Sequence, residues 1–279
     1  MSLSGLIGVT GATGNIGGRV AGSLADRGIA QRLVVRDPAR APQLAGAEVV
    51  QASYAEPEAL REALAGVSTL LLVSGEEAVD RRAQHLAAVA AAADAGVERV
   101  VYTSFLGAAP DATFTLARDH AATEQALAGS GLRWAALRNS LYADVLPEFA
   151  AEGVLRGPGG DGRVSAVTRE DVAAVAVELL LGDEDGPLEV TGPQALTLEE
   201  VAQVLTRATG RTHRYEDETL EQAHASRASY GAPDWQVEAW VSTYTAIAAG
   251  ELATVTDTVQ RLLGRPALSL ELLLRRGLH

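Results

Sequence analysis

Three glycines near the N-terminus have the spacing that brings peptide backbone against a phosphate. Gly11, Gly14 and Gly17 follow the apolar run Leu6 to Val9 and precede an apolar periodicity typical of one helical face. A strand, a glycine turn and a helix together present unpaired N–H groups and the positive end of a helix dipole to an anion. The pattern predicts a site for the diphosphate of a dinucleotide, with a βα turn that binds no ligand as the alternative. The residues assigned to this site are Thr10, Gly11, Thr13, Gly14, Asn15, Ile16 and Gly17.

An arginine follows the second predicted strand, at the point where dinucleotide folds contact the ribose 2′ position. The strand runs from Gln31 to Val35 and continues into Arg36 and Asp37. A guanidinium matches the geometry and charge of a 2′-phosphate, and one such contact contributes about 1.5–3 kcal/mol. Arg36 therefore predicts NADP(H) as the cofactor. Asp37 keeps NAD(H) open, and a solvated loop arginine is the remaining alternative.

Polar residues also follow the next three predicted strands, which are Glu48 to Gln51, Ser68 to Val73 and Val97 to Tyr102. Parallel sheets bind ligands at the carboxyl ends of their strands, so we expect the nicotinamide and its ribose near the last two. The alternative is that these polar groups cap the helices that follow. The expected cofactor contacts are Tyr54, which would cover the adenine, and Ser74, Gly75, Thr103 and Ser104.

Strands and helical segments alternate through the first half of the chain, and the pattern changes after residue 140. The alternation predicts an α/β fold, a doubly wound parallel sheet with helices on both faces. We assign residues 1–140 to a nucleotide-binding domain, to which residues 163–182 return. Residues 141–162 and 183–279 are assigned to a smaller, mostly helical domain that would bind substrate and close over the cofactor.

The composition excludes several classes of chemistry. The 279 residues include no cysteine and all 23 basic residues are arginine, which rules out thiolate nucleophiles, cysteine-ligated metals and a catalytic or phosphate-loop lysine. The scattered histidines, His85 among them, indicate no metal site and are expected at the surface. A net charge of −13 without a basic face argues against nucleic-acid binding. Without an apolar run long enough for a membrane span, or a signal peptide, we expect a cytoplasmic protein, with a homodimer left open.

Five stretches of the chain match a known pattern: Gly11-Ala12-Thr13-Gly14-Asn15-Ile16-Gly17, Val35-Arg36-Asp37-Pro38-Ala39, Tyr102-Thr103-Ser104, Leu137-Arg138-Asn139 and Asp161-Gly162-Arg163-Val164-Ser165. Together they resemble the NmrA-like branch of the atypical short-chain dehydrogenases/reductases, and within it the bacterial NADPH–quinone oxidoreductase type. The resemblance extends over nearly the whole chain and is strongest up to about residue 182. It implies a Rossmann-type domain that binds NADP(H) and a small C-terminal substrate domain. The branch also contains redox-sensing regulators that bind the dinucleotide without turnover.

The proton-transfer pair of the classical members of that superfamily is absent. Those enzymes have a tyrosine and a lysine four residues apart, and this chain has Leu116 and His120 on the corresponding helix. His120 is predicted to contact the nicotinamide ribose or to act as a weak proton donor, and a partly buried histidine held by Glu124 is the alternative. Asn139 and Tyr142 follow the sixth strand and are predicted to border the acceptor. His120, Asn139 and Tyr142 are therefore the catalytic candidates.

The missing acid discriminates between the reactions open to such a protein. Ketone reduction forms a strongly basic alkoxide, and a sugar-nucleotide epimerase needs a base, so carbonyl reductase and epimerase activities are disfavoured. A quinone accepts hydride to give a phenolate-like anion that water can protonate, and it needs mainly orientation over the nicotinamide. The sequence therefore predicts an NADPH-dependent oxidoreductase that passes hydride to a quinone-like acceptor. A non-catalytic NADP(H)-binding redox sensor is the alternative.

Overall fold

Strands and helices alternate along most of the chain, in the order that the apolar periodicities indicate. The computed structural model describes residues 5–277. Its strands are β1 (Leu6–Thr10), β2 (Gln31–Val35), β3 (Ala47–Gln51), β4 (Val67–Leu72), β5 (Arg99–Phe105), β6 (Arg133–Asn139), β7 (Val154–Gly157), β8 (Arg163–Val164), β9 (Gly186–Val190), β10 (Leu196–Thr197) and β11 (Arg214–Asp217). Its α-helices are α1 (Asn15–Asp26), α2 (Pro57–Ala63), α3 (Arg81–Asp94), α4 (Thr115–Gly129), α5 (Leu146–Phe149), α6 (Arg169–Leu181), α7 (Leu198–Thr209), α8 (Leu220–Ala228), α9 (Asp234–Ala248), α10 (Thr258–Leu263) and α11 (Leu270–Gly277).

A seven-stranded sheet organises the part of the chain that contains the glycine motif. Its strand order is β3-β2-β1-β4-β5-β6-β9. β1 pairs in parallel with both β2 and β4, and the pairs β2–β3 and β4–β5 are parallel as well. The chain therefore builds outward from β1 in two directions, which creates a topological switch point at the carboxyl end of β1. The predicted doubly wound α/β fold is confirmed.

The local sequence explains why β1 and α1 form where they do. Ile7 and Val9 in β1 are fully buried, as expected for a central parallel strand. In α1 the apolar residues recur on one face, and Ile16, Val20 and Leu24 are all buried. The helix stops just before Gly28, which adopts a left-handed φ of +70°. The first βα unit thus packs through the apolar positions that the sequence shows.

The chain divides into two compact units. One comprises residues 5–104, 119–138 and 172–188, and a hydrophobic cluster within it contains Leu70, Val100, Tyr102 and Leu127. The other comprises residues 105–118, 139–171 and 189–277 and has a separate core. The assignment of the first unit to the nucleotide and the second to the acceptor stays a prediction.

One strand lies in a different sheet environment from the one expected. The sequence pattern places Leu188 to Val190 in the C-terminal domain, whereas β9 is the outer strand of the main sheet, beside β6. A short strand carries no local sign of its partner, because pairing is decided by contacts distant in sequence. Within residues 5–277, no helix combines the length and apolar character that a membrane crossing requires. The cytoplasmic location stays a prediction.

Candidate functional site

The turn between β1 and α1 leaves room for glycine alone at critical points. Gly11 has a left-handed φ of +64°, and the Gly14 N–H donates to the Gly11 carbonyl at 2.9 Å. A Cβ atom on Gly17 would lie 2.7 Å from the Thr10 carbonyl oxygen and nearer still to that of Gly11. The first turn of α1 can therefore pack directly against the end of β1 only because Gly17 has no side chain.

The amino end of α1 is open to a ligand. Gly14 is the N-cap residue and forms no side-chain cap hydrogen bond, and the first turn of α1 contains no acidic side chain. Thr13, Gly14 and Asn15 are exposed, while Ile16 is directed into the core. Because the first N–H groups of a helix have no partner within the helix, this end offers donors and a positive dipole to an anion. The cradle fits the diphosphate of a dinucleotide.

The side chains of Thr10 and Tyr54 are held beneath this turn. The Thr10 hydroxyl donates to the Leu71 carbonyl at 3.0 Å and accepts from the Val73 N–H at 2.9 Å. The Tyr54 hydroxyl lies 2.6 Å from Thr10 Oγ1 and 2.7 Å from the Val73 carbonyl oxygen. Burial raises the pKa of Tyr54, so the phenol stays protonated. The cover of the adenine by Tyr54 stays a prediction, and its ring would make that contact because its hydroxyl is already hydrogen-bonded.

Arg36 is exposed after β2 and forms an ion pair with Glu76. Its Nη1 lies 2.7 Å from Glu76 Oε1. The hydrogen bond from Arg36 lowers the pKa of Glu76, and the same bond raises the pKa of Arg36. Asp37, the residue that kept NAD(H) open, accepts from the Ala39 N–H at 3.0 Å and caps its own turn. Arg36 thus presents an exposed guanidinium, paired with Glu76, at the end of β2, and its contact with a 2′-phosphate stays a prediction.

The segment after β4 is fixed through its backbone. Thr103 Oγ1 accepts from the Ser74 N–H at 2.7 Å and is within 3.3 Å of Ser74 Oγ. The Gly75 N–H donates to His85 Nε2 at 2.8 Å, and the Gly75 carbonyl accepts from Arg81 Nε at 3.0 Å. Ser74, Gly75 and Thr103, all predicted cofactor contacts, therefore lie together at the ends of β4 and β5. Their contact with a cofactor stays a prediction.

A buried polar group, called here the Arg81 cluster, supports these strand ends and includes His120. Its members are Arg81, His85, Tyr102, Asp119, His120 and Thr123. Arg81 is 5% exposed and contacts Asp119 Oδ2 at 3.2 Å and His120 Nε2 at 3.0 Å. His120 Nδ1 lies 2.8 Å from the Tyr102 hydroxyl, and His85 Nδ1 lies 3.1 Å from the Thr123 hydroxyl. His85 is fully buried, so its expected place at the surface is wrong.

The hydrogen bonds fix the protonation of both imidazoles. A guanidinium nitrogen and a peptide N–H can only donate, so Nε2 of each ring accepts and Nδ1 carries the hydrogen. Burial, reinforced by the Arg81 charge, lowers the pKa of His120 well below its ordinary value and that of His85 to about 3. Both rings are therefore neutral near pH 7.

Glu124, the residue that the sequence offered as a partner of His120, is bonded to Ser104 and Arg138. Its carboxylate accepts from the Ser104 hydroxyl at 2.5 Å and from Arg138 Nη2 at 2.6 Å. The buried Ser104 hydroxyl is thereby committed to Glu124. Its contact with the nicotinamide ribose stays a prediction, and its side chain would have to leave this bond to make one.

In the second unit, Asn139 and Tyr142 follow β6. The Asn139 side chain is 2% exposed, and within residues 5–277 no well-formed hydrogen bond reaches its oxygen or its nitrogen. The Arg169 guanidinium lies over the Tyr142 ring, 5.1 Å from its centre. Burial raises the pKa of Tyr142, and the nearby Arg169 charge and the adjacent Asn139 amide oppose that shift. A buried amide without a partner costs free energy unless a ligand completes it, so Asn139 is a candidate acceptor contact.

Three residues that lie at the site carry no motif and were not found from the sequence. Arg81 and His85 clamp Gly75 from both sides, and Glu76 pairs with Arg36. Arg81 and His85 are four residues apart on α3, on the face that also buries Ala88 and Ala92. That spacing was the available signal, because residues four apart share a helix face. Glu76 had none, since its partner is distant in sequence.

Comparisons with known proteins agree with this geometry. A family model described as NAD(P)H-binding matches residues 11–183. Quinone oxidoreductase 2 of Escherichia coli (strain K12) is 36% identical over 275 residues, which cover 95% of this chain and 96% of that protein. An NAD(P)H azoreductase of Xenophilus azovorans is 35% identical over 267 residues, or 93% of each chain. The crystal structure of an Escherichia coli NADPH-dependent quinone oxidoreductase with NADPH is similar at a TM-score of 0.89 and 32% identity, covering 98% of this chain and 100% of the other. The predicted class of cofactor is confirmed.

Proposed function

Because this chain belongs to the NAD(P)H-binding family and is an NAD(P)H-dependent oxidoreductase, we propose that it transfers hydride from NADPH to a quinone-like small acceptor. Two relatives are named for a quinone and for azo reduction. Both names support a conjugated acceptor that takes up two electrons.

The cofactor would be held by groups whose placement the sequence anticipates. The open amino end of α1 would bind the diphosphate, and Arg36 would bind the 2′-phosphate. Ser74, Gly75 and Thr103 would line the ribose and nicotinamide, held in place by the Arg81 cluster. When bound, NADPH supplies the hydride. The protein's part is to orient the two reactants and to limit water between them.

The observation that supports a quinone-like acceptor most directly is the state of His120. This residue is on the helix of the classical acid, yet its imidazole is neutral, with Nε2 bonded to Arg81 and Nδ1 facing Tyr102. It therefore cannot supply the labile proton that an alkoxide requires near pH 7. A quinone needs no such donor, because its reduced anion is stable enough for water to protonate. We assign His120 a positioning role in place of proton donation.

Asn139 and Tyr142 would contact the acceptor. The free amide of Asn139 can donate to a carbonyl oxygen on which negative charge develops. Tyr142 offers an aromatic ring, one face of which is covered by the Arg169 guanidinium. A flat acceptor ring would stack on this aromatic group. These two side chains supply orientation rather than acid–base chemistry.

The test is turnover of NADPH with a panel of quinones, an azo dye and simple aldehydes, followed by the loss of nicotinamide absorbance. We expect oxidation with the quinones, slower or comparable oxidation with the azo dye, and none with the aldehydes. Aldehyde reduction faster than quinone reduction would contradict the proposal that the acceptor is quinone-like. Tight NADPH binding without turnover of any acceptor would instead identify a redox sensor.

A further inference from the structure

An exposed ion pair joins two strand ends that flank β1. Arg36 directly follows β2, and Glu76 lies four residues beyond the end of β4. Their two contacts are Nη1 to Oε1 at 2.7 Å and Nη2 to Oε2 at 3.4 Å. Because β1 lies between β2 and β4 and is parallel to both, the pair passes over the carboxyl end of β1. This is the crevice in which an open parallel sheet binds its ligand.

Both partners are held by their backbones rather than by the ion pair. The Arg36 carbonyl accepts from Gln51 Nε2 at 3.0 Å. On the other side, the Gly75 peptide that precedes Glu76 is bonded to His85 and Arg81. The two side chains therefore meet because their attachment points are fixed. Either can release the other without a change in the fold.

The ion pair is weak enough to exchange. The two side chains are 67% and 70% exposed, and pairs of this kind contribute about 0–1 kcal/mol. A phosphate monoester carries about −1.5 to −2 charges near pH 7 and offers three acceptor oxygens, so it binds a guanidinium more strongly than one carboxylate does. The Asp37 carboxylate caps its own turn and leaves Glu76 as the carboxylate bound to Arg36.

We propose that Glu76 is a specificity-determining residue of the cofactor site: its carboxylate occupies the Arg36 guanidinium until the 2′-phosphate of NADPH displaces it. This inference rests on the proposed assignment of Arg36 to that phosphate. NADH has no group to exchange for the carboxylate, so the pair persists when NADH binds. Glu76 thereby lowers the affinity of the protein for NADPH and reduces its preference for NADPH over NADH. The same exchange makes release of the bound NADP(H) easier.

Calorimetric titration of NADPH and of NADH into the purified chain and its variants tests this exchange without any acceptor. In Glu76→Gln, the dissociation constant for NADPH should fall about three- to fivefold, while that for NADH changes less than about twofold. In Arg36→Ala, the further change Glu76→Gln should have little effect, because no guanidinium remains to be released. The matched control is Glu58→Gln, which removes the same charge from an exposed arginine pair, Arg61–Glu58 at 3.2 Å on α2.

Each outcome decides between the two claims. Unchanged or weaker NADPH binding in Glu76→Gln would overturn the exchange, as would an equal gain for NADH or for Glu58→Gln. An undiminished gain in the Arg36→Ala background would overturn it too, since Glu76 would then act without Arg36. If Arg36→Ala alone weakens NADPH and NADH equally, the assignment of Arg36 to the phosphate fails, whatever Glu76 does. Because the titrations contain no acceptor, both binding results stand even if the protein does not reduce quinones.

Discussion

The glycine turn and the Arg81 cluster lie at the same edge of one sheet. They differ in whether their polar groups have hydrogen-bond partners. In the turn, the amino end of α1 has no side-chain cap, and Thr13 and Asn15 are exposed. In the cluster, every ring nitrogen of His85 and His120 has a partner, and Arg81 contacts three groups. We infer that the turn is kept open for a ligand and that the cluster holds the strand ends. Asn139 differs from the turn in being buried, but its amide likewise has no well-formed hydrogen bond within residues 5–277.

The largest expected effect is that of Gly17→Ala, which adds a Cβ where carbonyl oxygens already lie. The turn must shift, so NADPH affinity should fall by more than about a hundredfold and the free energy of unfolding by about 3 kcal/mol. The control is Gly22→Ala on the same helix, where an added Cβ would have no described atom within 4 Å beyond its own helix backbone and chain neighbours. That change should leave binding intact and raise stability by about 0.5–1 kcal/mol. Titration calorimetry and urea unfolding measure both; equal behaviour of the two variants would refute the close packing of the turn.

Arg81→Leu should lower the free energy of unfolding more than it lowers the rate of acceptor reduction. It removes a buried guanidinium from Asp119, His120 and Gly75, and we expect a loss of about 3 kcal/mol in the free energy of unfolding. Arg82→Leu, an exposed neighbour, should stay within about 0.5 kcal/mol of the wild type. Urea unfolding monitored by circular dichroism is the measurement. If Arg81→Leu proves as stable as Arg82→Leu, the cluster has no supporting role.

The neutral histidines should make stability fall in acid. The pKa of His85 is lowered to about 3 in the fold, so between its ordinary pKa and that value only the unfolded chain takes up the proton. Stability therefore rises with pH across this window. From pH 7 to pH 5, His85 should account for a loss of about 2 kcal/mol. Urea unfolding of His85→Gln at both pH values should show a loss smaller by that amount, and an unchanged difference would contradict a buried neutral ring.

The smallest effect is expected for Asn139→Leu, which should lower turnover while leaving stability almost unchanged. Removing an unpartnered buried amide should change the free energy of unfolding by less than about 1 kcal/mol, while kcat/KM for a quinone falls about tenfold. The neighbouring Ser140 hydroxyl is bonded to Ser165 at 3.3 Å, so Ser140→Ala should lower stability and spare turnover. If Asn139→Leu retains full turnover with an unchanged KM, the amide does not touch the acceptor.

The turn was readable from sequence because its constraints are local. Glycine spacing, the apolar strand and the helical face all lie between Leu6 and Leu24, so the strand–turn–helix unit could be predicted with the residues that build it. The doubly wound fold followed from the alternation of strands and helices. The comparisons with known proteins then supported the class of cofactor.

The cluster could not be read in the same way, because its contacts join residues far apart in the chain. His85 meets Gly75, Tyr102 and Thr123 from three different elements, and Glu76 reaches Arg36 across β1. The four-residue spacing of Arg81 and His85 places both on one face of α3, but it does not show which residues that face contacts. The same limit applies to β9, whose place beside β6 in the main sheet is decided by contacts distant in sequence.

The most direct test of the central claim is a calorimetric titration of the wild-type chain and of Arg36→Ala with NADPH and NADH. The glycine turn predicts saturable binding of both dinucleotides to the wild type, with NADPH the tighter. Arg36→Ala should raise the dissociation constant for NADPH about tenfold or more and change that for NADH less than about twofold. Absence of binding by either dinucleotide, or equal losses for the two in the variant, would contradict the account.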